Sequence, residues 1–430
     1  MNRDAWEYLI KAFFPSSPFI RSIFYSHFIR AVTLGGNLGV MAVIWVQSLI
    51  SCLMLYLLFK RNSSRKYTNL FYLLCVGILG LVTQWAWFIS HIGPHLFGTW
   101  LAIGIYLLVF VSNKLSKLEV AFVSFCVILA TICHQSFTPI FFAVMIMLSM
   151  MDRSFKSIPH FSMKLRRTWM LWVFALFIIS SAKLFSQEKS TDNVSFFLFS
   201  RMVKTGKVSQ ILKEQCDLIP YKLCPYQNEL LHLQNNNFQS GAFLWDHSSP
   251  FESIGGWKES KSELVEIIKQ SFIQHPFANL KEALTLTYQQ LFTFKIAFSR
   301  CNFDEAEIHQ SQLKKLARLS DRVPIIYRSL VKIEDLENCV PQTMLKTEKF
   351  RVELSYWLFL ILLATAVIGT LKSKPNAFTC YSVIFLCANA LVSSFFGGLI
   401  DRSSGRMMIL PAINLIFLIG NWVHQRYRRT

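Results

Sequence analysis

The sequence is poor in acidic residues: 25 Asp and Glu stand against 44 Lys and Arg, a formal net charge of +19 over 430 residues. It also lacks the short motifs that announce common chemistries. There is no P-loop, no GxSxG, no HExxH and no dinucleotide fingerprint in a suitable context, so none of those enzyme classes is indicated. No CxxC pair occurs, and no His sits at ligand spacing beside the loop cysteines, which argues against a zinc site. A cleavable signal peptide is absent, because Arg3, Asp4, Glu7 and Lys11 interrupt any apolar N-terminal core. Internal repeats and low-complexity tracts are missing too. The positive charge itself lacks the dense basic and aromatic surface that nucleic-acid binding needs. Residues 188–350 hold 20 Lys and Arg against 19 Asp and Glu, so the largest polar region is almost neutral. Nucleic acid is therefore not expected as a partner.

What the sequence has in abundance is apolar residues. They make up 53% of the chain, with 39 Phe, and they cluster in blocks near 20 residues. A block of that length spans the roughly 30 Å of hydrocarbon in a bilayer when helical. Nine such blocks read as transmembrane helices at about 38–59, 69–89, 96–112, 118–133, 139–151, 168–187, 354–371, 376–396 and 407–423. Lys and Arg clusters such as 60–66, 114–117, 156–167, 372–374 and 426–429 occupy alternate connections, whereas the turns at 90–95 and 134–139 carry none. Cationic residues are retained on the cytoplasmic side, so this alternation predicts an outer N-terminus and an inner C-terminus. The expected class is an all-α polytopic membrane protein. Residues 1–187 form interfacial helices and spans one to six, 188–350 a large, mostly helical extracytoplasmic loop, and 351–430 the last three spans with a basic cytoplasmic tail. The polar N-terminus without a preceding span has one explanation in a further helix upstream of Met1.

The outer loop reads as folded. Leu264, Ile267, Ile268 and Phe272 form one helical face, and Leu280, Leu284, Tyr288 and Leu291 form another after Pro276. Asp304 to Leu319 reads as a third helix. Six cysteines lie in apolar blocks. The other four, Cys216, Cys224, Cys301 and Cys339, lie in the loop, and an oxidising compartment allows two disulfides among them. Cys216 and Cys224 would close a small loop around Pro220, leaving Cys301 with Cys339. Four free thiols are the alternative.

Chemistry must then rest on charged groups at the outer membrane face. Asp4 and Glu7 are three residues apart, so a helix places them on one face, where two carboxylates suit a general base with a substrate or divalent-metal partner. A solvated first helical turn is the plain alternative. Arg402 and Arg406 precede the last span and suit a phosphate, which guanidinium pairs with bidentately; anchoring to lipid headgroups is their alternative. His91, His95 and His134 lie in the cation-free turns, as substrate contacts or ordinary interfacial residues. Arg201, Trp245 and Asp246 in the loop fit sugar or headgroup contacts, and core or surface roles fit them equally well. No metal site or cofactor is firmly implied.

The layout resembles the C-type integral membrane glycosyltransferase superfamily. Arg3-Asp4-Ala5-Trp6-Glu7-Tyr8, followed by Ser17-Pro18-Phe19-Ile20-Arg21-Ser22-Ile23-Phe24-Tyr25, is similar to that family's first outer loop, with an acidic residue ahead of an Arg-aromatic helix. Arg402 and Arg406 before Met407 to Pro411 resemble its late arginine ahead of a final span. The sequence departs from the family in lacking a span before this loop, in placing its large loop between spans six and seven, and in having no clean DxD or ExD motif. The resemblance implies transfer of a sugar from a polyprenyl-phosphate donor to a glycan or lipid acceptor on the outer face of a bacterial plasma (inner) membrane, within cell-envelope synthesis. By the same resemblance Asp4 is the general base, Glu7 assists it, Arg402 or Arg406 holds the donor phosphate, and Arg21, His91, His134, Arg201 and Trp245 are substrate contacts. The competing reading is a transporter, flippase or non-catalytic envelope assembly protein, which predicts charges buried in mid-span and paired repeats. A polymerase, ligase or acyltransferase acting on a lipid carrier shares the same arginine logic.

Overall fold

The computed structural model describes residues 3–14, 22–62, 68–83, 85–155, 158–185, 194–235, 241–245, 249–294, 325, 342–371, 376–397 and 406–427. Among them helices are the only regular secondary structure. Arg21, Cys301, Cys339, Arg402, Asp246 and the expected helix 304–319 lie outside the described residues, as do the side chains of Asp4 and Trp245.

The chain divides into two compact units. The first comprises Met1–Phe185, Phe294–Leu386 and Gly405–Thr430. It begins with two short helices, α1 (Arg3–Phe13) and α2 (Ile23–Val32), packed on one another. Then come α3 (Met41–Asn62), α4 (Thr68–Val82), α5 (Trp85–Ser90), α6 (Phe97–Tyr106), α7 (Lys117–Cys133), α8 (Phe137–Met150) and α9 (Phe161–Phe185). After the second unit follow α17 (Gln342–Leu371), α18 (Ala377–Gly397) and α19 (Ile409–Tyr427); the division between the units falls inside α18.

Four helical stretches are long and apolar enough to cross a membrane: Met41–Asn62, Pro94–Lys114, Phe350–Leu371 and Ala377–Gly397. At 1.5 Å per residue their 21 or 22 residues reach about 30 Å. The chain is thus built as an integral membrane protein. Each of the nine expected blocks falls on helix. The second is broken near Thr83, whose hydroxyl donates to the Leu79 carbonyl and accepts from the Trp85 N–H. The fourth and fifth are the separate helices α7 and α8, and Pro139 sits in the first turn of α8, where its missing N–H costs nothing.

Within this unit α6 is the axis. All ten of its residues are buried. It approaches α7 so closely that a Cβ on Gly104 would come 2.4 Å from a Val127 methyl. Polar groups turn inward and pair: Trp100 donates its indole N–H to Ser51 at 2.8 Å, Tyr381 donates to the Ala102 carbonyl, and Thr379 donates to Asn414 at 2.6 Å. Large apolar side chains turn outward, among them Trp45, Leu49, Leu73, Phe177 and Val367. Hydrocarbon as the solvent explains this inversion, because lipid leaves nothing to gain from hiding a Leu but penalises an unpaired polar group heavily.

The second unit comprises Ser186–Thr293 and Cys387–Ser404. Its helices are α10 (Val194–Lys204), α11 (Lys207–Gln215), α12 (Gln227–Asn235), the single turns α13 (Ala242–Trp245) and α14 (Gly256–Glu259), α15 (Lys261–Gln274) and α16 (Pro276–Leu291). Phe196, Phe199, Met202, Ile211, Leu230, Phe243, Leu264 and Ile267 interlock in one apolar core, so the described part of the loop, within 194–293, is folded. Gly206 joins α10 to α11 with φ of +78°, a left-handed turn that suits glycine. The expected disulfide between Cys216 and Cys224 is present, with Cα atoms 5.8 Å apart, and staples the end of α11 to the turn before α12. The Glu263 carboxylate accepts from the backbone N–H groups of Lys222 and Leu223 and fixes the same turn.

One expectation is reversed. The face Leu280, Leu284 and Tyr288 of α16 does not enter the core; these residues are 56%, 55% and 67% exposed, and Asn279, Ala283 and Gln290 are buried instead. Asn279 earns its interior place through its amide, which donates to the carbonyls of Ser271 and His275 and so braces the α15–α16 corner.

Candidate functional site

A polar cluster of the first unit gathers at the ends of α3, α6, α7 and α19. It is organised by Gln47, fully buried on the second turn of α3. Its side-chain amide donates to the carbonyls of Ile89 and His91, both at 2.8 Å, and its oxygen accepts from the Tyr25 hydroxyl at 3.3 Å. One side chain thereby holds the turn before α6 and the helix α2 together. Tyr25 is itself fully buried, edge-on to Tyr8 at 4.9 Å and to Phe97 at 5.5 Å. Burial pushes its hydroxyl well above the ordinary tyrosine range, so it remains a neutral donor. At the N-cap of α2, Ser22 donates to the Ile132 carbonyl at 2.6 Å, which ties α2 to the end of α7.

Arg406 lies at the centre of what this frame positions. The residue is 4% exposed, and its guanidinium lies 3.4 Å from Nδ1 of His95 and 4.9 Å above the ring of Phe137. Arginine only donates, so His95 accepts there and keeps its ring proton on Nε2. The His134 ring lies 5.1 Å from that of His95 and 4.7 Å from Phe137. Nδ1 of His134 accepts from the Ser136 N–H at 3.2 Å and contacts its hydroxyl at 2.7 Å. Thr99 donates to the Arg406 carbonyl at 3.4 Å. Gly98 makes this assembly possible: a Cβ there would come 2.4 Å from Met407 and 3.0 Å from Phe137.

The structure therefore brings together four of the residues singled out in the sequence. Arg406 and His134 meet through His95 and Phe137, and His91 is held beside them through its backbone. Glu7 is half-buried on α1 immediately before Tyr8, the residue that packs on Tyr25. Asp4 lies one turn earlier on the same helix. Arg201 is elsewhere, in the second unit. It is fully buried on α10, with Nε 3.7 Å from Glu282 and its guanidinium 5.4 Å from the Phe395 ring. Burial lowers the Arg201 pKa and raises that of Glu282, each opposed by the other's charge. Trp245 closes α13 in that same unit. Among the described residues no group of three or more His, Cys, Asp and Glu side chains is placed to hold a metal ion.

Sequence reasoning missed Gln47 and Tyr25. A signal for Gln47 was available: an amide inside an otherwise apolar span is costly and so marks a structural or functional contact.

No family model matches this chain, and neither a curated protein nor a solved structure matches it. The geometry alone must support a reading. A buried guanidinium that meets the His95 imidazole, with the His134 ring 5.1 Å beyond it, at one end of an apolar bundle, is a cationic setting suited to an anionic oxygen.

Proposed function

We propose that this chain is a bacterial cell-envelope glycosyltransferase that crosses the plasma membrane nine times. It transfers a sugar from a polyprenyl-phosphate donor to a glycan or lipid acceptor on the outer face. The observation that carries this reading is Arg406, held against His95 and Phe137 at the end of the apolar bundle, where a lipid-linked phosphate would arrive along the membrane surface. Two further features support the orientation. Lys60 and Arg61 pair with Glu119, and Lys114 donates to the Arg61 carbonyl, at the opposite end of the α6 stretch from His95, as retention of cations in the cytoplasm requires. The Cys216–Cys224 disulfide suits an oxidising, extracytoplasmic compartment for the loop.

In this mechanism Asp4 takes the proton from the acceptor hydroxyl, with Glu7 assisting. The acceptor oxygen attacks the anomeric carbon, the bond from that carbon to the phosphate oxygen breaks, and polyprenyl phosphate leaves with the electron pair. Arg406, with Arg402 and Arg21, neutralises the phosphate as its charge develops, an electrostatic contribution that is large in a water-poor site. His91 and His134 contact the sugar or phosphate at the same end. Arg201 takes no part in this mechanism, because it is fully buried beside Glu282 in the interior of the second unit.

The test is transfer from a radiolabelled polyprenyl-phosphate sugar in membranes containing the full chain. Arg406→Ala is expected to lower transfer by about 10²- to 10³-fold, with Arg406→Lys intermediate because it keeps the charge but loses the planar fork. Asp4→Asn is expected to abolish transfer at unchanged protein level. Unaltered transfer by either variant removes that residue from the mechanism. Translocation of the lipid by the wild type without any transfer would instead establish the flippase reading.

A further inference from the structure

Among the described residues of the second unit, α16 carries four large exposed side chains along one side of a single helix. Phe277, Leu280, Leu284 and Tyr288 recur at helical spacing over about 16 Å and are 85%, 56%, 55% and 67% exposed. With Lys281 and Thr285 they line an open trough of 510 Å³. The opposite side of the helix is committed: Asn279, Ala283 and Gln290 are buried, and Glu282 pairs with Arg201. The stripe is thus the side of α16 left for a partner.

What that partner is follows from the neighbours of the helix. Thr287 lies 2.9 Å from the Ser394 hydroxyl, and Phe272, at the end of α15, packs on Phe395 at 6.1 Å. Ser394 and Phe395 form the last turn of Ala377–Gly397, one of the four helices able to cross a membrane. A helix fastened to the final turn of a span sits at the level where hydrocarbon gives way to headgroups. A helix with one apolar stripe, a flanking lysine and a tyrosine is suited to lie in that layer, with the lysine stem reaching back toward lipid phosphates.

We propose that α16 docks flat on the bilayer crossed by its own chain, with Phe277, Leu280, Leu284 and Tyr288 in the acyl boundary and Lys281 at the headgroup phosphates. This surface would hold the second unit against the membrane. It depends on Ala377–Gly397 crossing the bilayer and takes nothing from the role assigned to Arg406.

The experiment uses the full chain in nanodiscs of phosphatidylcholine and phosphatidylglycerol, with the photocrosslinking residue p-benzoylphenylalanine at one position at a time. Position 284 reports on the stripe, and position 280 repeats the measurement should the first variant not fold. Position 269 is a water-facing control on α15, where Lys269 is 62% exposed. Position 49 on α3 is the reference for a lipid-facing span. After irradiation, mass spectrometry is expected to find lipid adducts at 284, 280 and 49 and none at 269. Adducts at 49 together with none at 284 and 280 would overturn the docking while leaving the membrane reading intact. Crosslinks from 284 to another segment of this chain, or to a second copy, would also overturn it. No lipid adduct at 49 would take the membrane-spanning reading down, and the docking with it.

Discussion

The two units of this chain both bury apolar side chains, but they differ in what they expose. In the first, Gln47, Ser51, Thr379 and Asn414 are interior and hydrogen-bonded, while Trp45, Leu49 and Phe177 face outward. In the second, Phe196, Phe199, Leu264 and Ile267 are interior, and Lys213, Glu214, Lys222 and Lys269 face outward. The same 20 side chains obey one rule in both places, which is to minimise unpaired polar groups and to bury apolar area only where water is the alternative. The difference teaches that exposure is meaningful only once the solvent is named. Helix α16 is instructive because it lies in the unit built for water yet carries a stripe suited to lipid.

The sharpest way to break this contrast is to remove one partner of the charged pair inside the second unit. Glu282→Ala leaves Arg201 buried without its carboxylate and is expected to destabilise that unit by about 3–5 kcal/mol, read as earlier unfolding of 194–293 in limited proteolysis of the full chain. A smaller loss than about 1 kcal/mol would mean that this interior tolerates charge as the first unit tolerates amides.

A direct comparison places the same charge on two exposed leucines. Leu49 is 69% exposed and Leu231 is 47% exposed. Leu49→Lys is expected to disfavour membrane insertion by about 3 kcal/mol, because it puts an ammonium into hydrocarbon. Leu231→Lys is expected to change stability by no more than about 0.5 kcal/mol, because its side chain is already in water. Equal effects in an insertion and folding assay would erase the distinction between the units.

The disulfide gives a third, somewhat smaller effect confined to one unit. It closes a loop with a sequence separation of 8. Loop-closure entropy for that length corresponds to about 2.5 kcal/mol, so Cys216→Ser is expected to destabilise the second unit by that order and leave the first unchanged. The smallest effect is electrostatic. A hydrogen bond with His275 is the main cause holding the Glu214 carboxyl below its usual range. A carboxyl depressed in the folded state adds stability above its unfolded value, about pH 4.3, and loses it as pH falls through the lower folded value. Unfolding of the second unit should therefore become slightly easier below about pH 4, and Glu214→Gln should flatten that slope.

Much of this architecture was legible in the sequence because its signals are local. The apolar blocks, Pro276 at a helix start and the faces of Leu264 and Ile267 all act within a few turns. Cys216 and Cys224 were recognisable as a pair because they lie only eight positions apart. The candidate site was only half legible. Arg406 stood out as a cation beside the last apolar block, and the histidines as members of cation-free turns. That Arg406 and His95 meet across 311 residues depends on long-range packing. So does Gln47, whose three hydrogen bonds join α3 to α2 and to the turn before α6.

By itself the sequence determined that most of this chain is helical and that hydrocarbon is the medium for much of it, since composition and period specify both without any distant contact. Tertiary structure alone decided which face of α16 stays uncovered and which histidine receives Arg406. Both depend on which side chain fits an interior place made by distant elements: the Asn279 amide is satisfied there in α16, and Gly98 leaves the space that lets Arg406 sit over Phe137.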